Sequence, residues 1–293
     1  MKPLYVTLAS FLAAITVFSN PATAQENANH SLLWKVSANG LEVPSYLYGT
    51  IHMICEDDYF EPTGLEEAFE ATDQLVLEVD ISDPSIQVES LKYSFLPAGK
   101  TLEDYTTEEE YGRLETFFAE KVDMPLSMLK TMKPFLLSSL MIMPYIDCPQ
   151  PDSYEMKFAT RSKKDGEAIH SLESMEEVMS VLDEIPYERQ AQMMVESIDM
   201  MESEAFTFED MIRLYKSQDL EALVDAMSEY EAGSEEFNEL LLTKRNNNWM
   251  DDLEAYMKDK PSLVAVGAAH LGGETGLIQL LRDKGYTVEP IVQ

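Results

Sequence analysis

Two histidines stand in the same local setting at opposite ends of the chain. His52 closes Gly49-Thr50-Ile51-His52, and His270 closes Gly267-Ala268-Ala269-His270. Each follows a short apolar run, Tyr46-Leu47-Tyr48 in one case and Leu263-Val264-Ala265-Val266 in the other. The chain has 4 histidines, so two of them in one kind of slot is a pattern rather than an effect of composition. A strand that breaks at glycine and then offers a polar side chain is how open α/β sheets place ligand groups at their carboxyl edge. Glycine there permits a positive φ or a close backbone approach. The pairing predicts two imidazoles facing each other across a crevice. The plainer alternative is that each imidazole only satisfies a backbone carbonyl at a loop end.

Other groups could join them. Glu78 lies in the apolar run Leu75-Val76-Leu77-Glu78-Val79-Asp80. A carboxylate in such a run is costly to bury without a partner; the alternative is a solvent-facing position on a half-exposed strand. Arg245, in Lys244-Arg245-Asn246-Asn247-Asn248-Trp249, can grip a carboxylate through two N–H groups, either Glu78 or the terminus of a substrate. In a chain with acid to spare, a surface ion pair is the plainer reading of Arg245 on these residues alone. Three consecutive asparagines are poor helix formers, so something besides propensity must hold that turn. Glu173 either stabilises a helix start or belongs with the others. Two neutral imidazoles and a carboxylate make a three-ligand set for a divalent metal such as Mn, Co or Zn, with positions left open. Such a metal acidifies bound water and polarises a carbonyl, and a second carboxylate can take the proton. On that reading His52, His270 and Glu78 are ligands or acid–base groups. Arg245 and Asn246 orient, Glu173 is a further candidate, and Gly49, Thr50 and Gly267 shape the motifs. No His-Glu-x-x-His, Gly-x-Ser-x-Gly, Gly-x-Gly-x-x-Gly or Walker pattern is present.

These residues carry a resemblance. With Leu32-Leu33-Trp34-Lys35-Val36, Leu172-Glu173-Ser174 and the closing Leu280-Leu281-Arg282-Asp283-Lys284-Gly285-Tyr286-Thr287-Val288, the chain resembles the TraB/PrgY/GumN family over about residues 31–293. That group also contains the Tiki metalloproteases and belongs with EreA/ChaN-like proteins. The Tiki branch implies metal-dependent peptide hydrolysis through the paired Gly-x-x-His motifs. The TraB and PrgY branch is associated with silencing peptide pheromones, and ChaN-like folds bind haem, so the rival expectation is a non-catalytic peptide- or ligand-sequestering protein. Tyr215 and Ser217 stand where the family more often has tryptophan and glycine, a departure expected to touch packing and not the site.

Elements that would position these groups follow from pattern. Leu32 to Val36 and Tyr46 to Ile51 read as a hairpin around Asn39-Gly40. Gln74 to Asp80 and Leu263 to Val266 read as strands, as do short runs at 167–172 and 286–292. The expected fold is α/β (α+β). A central mixed sheet is built from N- and C-terminal strands, with a large helical insertion over about 82–260. Within it Met124-Pro125 reads as a helix start, and the methionine-rich Leu136 to Met143 as core or as an apolar peptide groove.

At the N-terminus, Lys2, the apolar run Leu4 to Phe18 and Ala22-Thr23-Ala24 read as a secretory signal over residues 1–24, ahead of a polar leader at 25–30. The domain would then occupy 31–293 of an exported protein, periplasmic or secreted. No later run approaches membrane-spanning length. The formal net charge of -33 would repel a phosphate backbone, which argues against nucleic acid. A peptide or small protein is the expected substrate. Export makes a disulfide the favoured state of Cys55 and Cys148; metal ligation by Cys55 beside His52, or two free thiols, are the alternatives.

Overall fold

A computed structural model describes residues 30–203, 207–230 and 238–292. The expected signal at 1–24 and most of the leader at 25–30 lie outside the described residues. A six-stranded mixed sheet frames the fold. Strands β1 (Leu33–Ser37) and β2 (Ser45–Thr50) form the expected antiparallel hairpin, with Leu33 opposite Tyr48. Asn39 and Gly40 take positive φ in its turn, which those residue types tolerate best. Strands β3 (Gln74–Leu77), β4 (Ala168–Ser171) and β5 (Ser262–Gly267) are each paired in parallel, β2 with β5, β5 with β3 and β3 with β4. Strand β6 (Thr287–Pro290) closes the other edge, antiparallel to β1. The order is β4-β3-β5-β2-β1-β6. Every residue of β5 is buried, as a central strand covered on both faces requires.

Local chemistry sets the helices between these strands. Helix α1 (Leu65–Glu70) follows β2 and buries Leu65, Ala68 and Phe69. Helix α2 (Pro84–Tyr93) starts with Asp83 accepting from Ser85 N–H and proline in its first turn. Reciprocal caps open α3 (Glu108–Phe117), through Thr107 and Glu110. Helix α4 (Pro134–Ile142) precedes α5 (Tyr154–Asp165), which Ser153 caps and Gly166 ends at φ 79°. Then come α6 (Met175–Leu182), α7 (Tyr187–Ser203), α8 (Phe208–Ser217) and α9 (Leu220–Tyr230). Helix α10 (Arg245–Asp259) continues from a wide π-type turn at Glu239–Lys244, and α11 (Leu277–Asp283) joins β5 to β6. No described helix is long and apolar enough to cross a membrane.

Two local expectations are corrected, and a third is extended. Met124-Pro125 opens only a short turn at Leu126–Met128, and the helix starts at Pro134. The insertion between β3 and β5 is mainly helical, and the short strand expected at 167–172 forms within it as β4, which joins the sheet beside β3. Glu173 does not cap a helix: Ser174 does, exchanging bonds with Glu177. Burial falls into two cores. One surrounds the sheet. The other lies among α3, α4 and α7, around Leu114, Phe117, Leu137, Met141, Met194 and Ile198. The methionine-rich run thus contributes Leu137 and Met141 to core and leaves Met143 exposed.

Cys55 and Cys148 are bonded to each other, their Cα atoms 5.9 Å apart across 93 residues of sequence. That rules out Cys55 as a metal ligand. Beside the bond, Ile54 and Asp152 exchange backbone hydrogen bonds at 3.0 and 2.7 Å. The loop leaving β2 is thereby clipped to the chain entering α5. Closing so long a loop restricts the unfolded ensemble, so Cys55→Ala with Cys148→Ala should lower unfolding free energy by about 2–4 kcal/mol. Urea denaturation of oxidised wild type against the double variant measures this, and equal midpoints with equal slopes would refute it.

Candidate active site

The parallel strands deliver their next residues to one place. His52 lies two residues beyond β2, Glu78 one beyond β3, Glu173 two beyond β4 and His270 three beyond β5. All leave the carboxyl ends of adjacent strands, where such sheets place ligands. The two motif glycines are needed for close approach, and neither has a positive φ. A Cβ on Gly49 would lie 3.1 Å from Ala268 and Leu271 atoms. A Cβ on Gly267 would lie 3.3 Å from Glu78 Oε1, 3.5 Å from His52 Nε2 and 3.6 Å from His270 Cδ2. Three of the residues singled out in the sequence therefore converge on the bare face of a fourth.

Glu78 is gripped from two sides. Gly267 N–H donates to its Oε1 at 2.6 Å, and Arg245 Nη2 donates to its Oε2 at 2.6 Å. Arg245 also bonds Glu173 through Nε at 2.9 Å and through Nη2, and donates from Nη1 to His270 Nε2 at 3.2 Å. Its guanidinium lies 4.9 Å from the Trp249 ring. Arg245 is thus a buried clamp joining two acids, not a surface ion pair. Burial opposes charge on Glu78. The neighbouring imidazoles, Arg245 and the Gly267 N–H outweigh it, holding that carboxyl well below its usual range. For Glu173 burial prevails over Arg245, and its carboxyl is raised. Two carboxylates on one guanidinium are pushed apart in acidity, the pattern that separates a fixed anion from a proton carrier.

The histidines are held differently. Asn246 donates from Nδ2 to the carbonyls of His270 and Thr275 at 3.2 and 2.9 Å, which turns its Oδ1 toward His270 Nδ1 at 2.7 Å. His270 must therefore carry its proton on Nδ1 and present an Nε2 lone pair. It is buried, with Trp249 packed against it at 4.5 Å, and burial lowers its pKa to about 3. This bonding answers what holds the asparagine-rich turn: Asn246 is tied to the second motif, and Asn247 caps back to Thr243. His52 has a side chain 65% exposed and donates from Nδ1 to Glu155 at 2.8 Å. Desolvation works downward on it, but Glu155, then Glu78, raise its pKa to about 9.

Glu155 is the residue that the sequence reading did not single out. It is buried on α5, where it also accepts from Thr50 Oγ1 at 2.5 Å and Ser153 Oγ at 2.6 Å. A signal existed: Glu155 shares the helical stripe of Phe158, Ala159 and Ser162, all buried. Tyr215 also reaches the site, contrary to expectation. Its hydroxyl donates to Gly49 carbonyl at 2.9 Å and meets Tyr48 hydroxyl at 3.2 Å.

Among the described residues no three His, Cys, Asp or Glu side chains are grouped as a metal cluster. The donors around Gly267 nevertheless suit a divalent metal in kind. Both imidazoles are anchored at Nδ1, so Nε2 is the atom each would offer, on His52 only once a metal displaces its proton, and Glu78 is ionised. The group they enclose in this structure is the Arg245 guanidinium, which bonds Glu78 Oε2 and His270 Nε2 itself. Trp249 Nε1, buried beside the Glu173 carboxyl, is a donor and suits an oxygen atom rather than a cation.

The profile of the TraB/PrgY/gumN family matches residues 32–290, and the chain belongs to that family. It is 25% identical to Metalloprotease TIKI1 of Danio rerio, across 91% of this chain and 64% of the relative. It is 26% identical to Metalloprotease TIKI2 of Xenopus tropicalis, across 91% of this chain and 60% of the relative. The chain thus spans under two thirds of the length of these relatives. It is 24% identical to the uncharacterized protein YbaP of Shigella flexneri, across 81% of this chain and 88% of that one. No solved structure matches.

The site's electrostatics are testable in protein stripped of metal by chelator. With 4 histidines, labelled imidazole resonances are assignable by single substitution. His270 should stay neutral down to about pH 3, and His52 should stay cationic up to about pH 9. The signs for stability are opposite. The raised pKa of His52 stabilises the fold below its unfolded value of about 6.5, and that gain is lost as pH rises through 9. The lowered pKa of His270 costs stability as pH falls from 6.5 toward 3, because only the unfolded chain takes up the proton. Both histidines titrating near 6.5 would contradict this arrangement.

Proposed function

We propose that this chain is an exported metal-dependent hydrolase of peptide bonds. Residues 1–24 would be its signal, 25–30 a leader and 31–293 the working domain. The observation that carries the reading is the convergence of His52 Nε2, Glu78 Oε1 and His270 on the face of Gly267. The family, and the metalloprotease names of two relatives, support the chemistry. A disulfide formed in the fold is in keeping with export.

His52, His270 and Glu78 would hold a divalent metal, Mn, Co or Zn. Such an ion supplies an acidified water and polarises a substrate carbonyl. The chain's own residues do the remainder. Asn246 and Glu155 fix which nitrogen each imidazole presents. Glu78 stays anionic, its Oε1 held by the Gly267 N–H. Glu173, with its raised pKa, is suited to accept a proton and return it to a leaving amine. Arg245, held by Glu173 through Nε and Nη2, can turn the Nη1 donor that bonds His270 Nε2 toward a carbonyl or terminal carboxylate of the peptide when that nitrogen is taken by a metal.

Elemental analysis of the purified protein tests the reading, alongside turnover and binding of a fluorogenic peptide library. The wild type should hold a stoichiometric metal and cleave peptides. His52→Gln with His270→Gln should lose both while still binding peptide. No metal in the wild type after addition of Mn or Co, with peptide binding retained, would favour sequestration instead.

Gly267→Ala is the sharper variant. Its φ of -50° is open to any residue, and the contacts around the added methyl are tight but not prohibitive. It should fold with a stability change of about 1 kcal/mol, yet bind Co at least about tenfold more weakly. Unchanged Co affinity would remove Gly267 from the centre of the site.

A further inference from the structure

The two imidazoles are not equally secure. His270 is enclosed by Asn246, Arg245 and Trp249. His52 projects a ring that is 65% exposed, and among the described residues its one hydrogen-bond partner is Glu155. Packing therefore does little to choose the rotamer of His52, and the bond at Nδ1 does most of it. Glu155 is in turn over-determined. Thr50 and Ser153 hydroxyls hold its two oxygens, and the carboxylate is buried on the apolar stripe of α5. The chain entering α5 is clipped to the chain leaving β2 by the Cys55–Cys148 bond and the Ile54–Asp152 backbone pair. One segment carries His52 and the other carries its partner.

We propose that Glu155 is the positioning residue of His52, and that the Cys55–Cys148 clip delivers it, so that the first motif is a donor only while α5 is fastened to the loop leaving β2. The inference rests on the hydrolase reading for its consequence, but its geometry does not depend on that reading. Thr50 gains a role by the same argument: the second position of Gly-x-x-His supplies the hydroxyl that anchors the carboxylate holding the fourth. His270 has no such dependence, since Ala268 occupies the matching position and Asn246 is the partner.

The test compares wild type with Glu155→Ala, Glu155→Gln and Cys55→Ala/Cys148→Ala by two readouts. The first is ¹³C relaxation of the His52 and His270 rings in chelator-treated protein, which reports picosecond-to-nanosecond order. The second is Co affinity from the visible absorption of the bound ion. In Glu155→Ala the His52 ring should become mobile while His270 stays ordered, and Co affinity should fall by about 10–100-fold. Glu155→Gln, whose amide oxygen still accepts from Nδ1, should keep the ring ordered and recover part of the affinity. The cysteine variant should loosen the His52 ring without disordering that of His270. A His52 ring as rigid in Glu155→Ala as in wild type would overturn the proposal, as would equal loosening of both histidines. If wild type binds no Co, the hydrolase reading fails, and the relaxation data still decide the role of Glu155. If Glu155→Ala does not fold, Glu155→Gln and the cysteine variant decide it by the same ring order.

Discussion

A single charged group imposes most of the architecture around the site. Glu78 is ionised at a strand end where its side chain is 12% exposed. An isolated carboxylate there would take up a proton rather than remain charged. Arg245 meets that need, but a buried guanidinium brings five donors of its own. Glu173, His270 and the Leu241 carbonyl receive the others. Each of those receivers must be brought from elsewhere in the chain. The helical insertion therefore comes back to the sheet as β4, which ends two residues before Glu173. It comes back again at the turn that carries Leu241 and Arg245. Leaving any one of these groups unpaired costs more than the net worth of the pair it came from, so the cluster behaves as a unit.

The same economy explains why the two Gly-x-x-His motifs, so alike in sequence, are unlike in the fold. The residue after the first glycine is Thr50, and after the second Ala268. Thr50 Oγ1 bonds Glu155, placing a charged acceptor at His52. Ala268 packs against Gly49, and a neutral amide serves His270. One imidazole is thus solvent-facing and drawn toward its cationic form, while the other is enclosed and neutral. For a pair of donors this means that His52 must shed a proton before it can ligate, whereas His270 need not. Protonation of His52 competes with any use of its Nε2 lone pair, whereas the lone pair of His270 is always present and is spent on Arg245.

Much of this was legible in the sequence because its signals are local. A glycine between an apolar run and a histidine, an acid at the end of such a run, and an asparagine–glycine turn are each short patterns with a single physical reading. They placed β1, β2, β3 and β5 and singled out His52, Glu78 and His270, whereas Arg245, Asn246 and Glu173 were drawn to the site by the family resemblance. Glu155 was missed because it is one acid among 54 Asp and Glu residues, and its burial depends on which face of α5 meets the sheet. Glu173 was read equally as a helix cap because a carboxylate before a helix is usually that; here the adjacent Ser174 already fills the role. Tyr215 looked like packing, since nothing in its neighbourhood reveals that its hydroxyl meets the Gly49 carbonyl 166 residues away. The second core was foreshadowed only by its methionines, whose unbranched side chains suit many packings and so specify none.

Distance along the chain has a further consequence. The bonds that define the site span 167 residues from Glu78 to Arg245 and 189 from Glu78 to Gly267. No fragment of the sequence contains the site, and its loop closures are all made when the sheet closes. The second core, by contrast, is drawn from Leu102 to Ile198 and shares no buried residue with the first. Several bonds tie the second core to the helix that follows Glu173: Lys133, at the start of α4, bonds Asp183 just after α6, and Gln190 of α7 donates to the Leu182 and Ile185 carbonyls. The strand ends, rather than the second core, therefore fix where the groups of the candidate site meet.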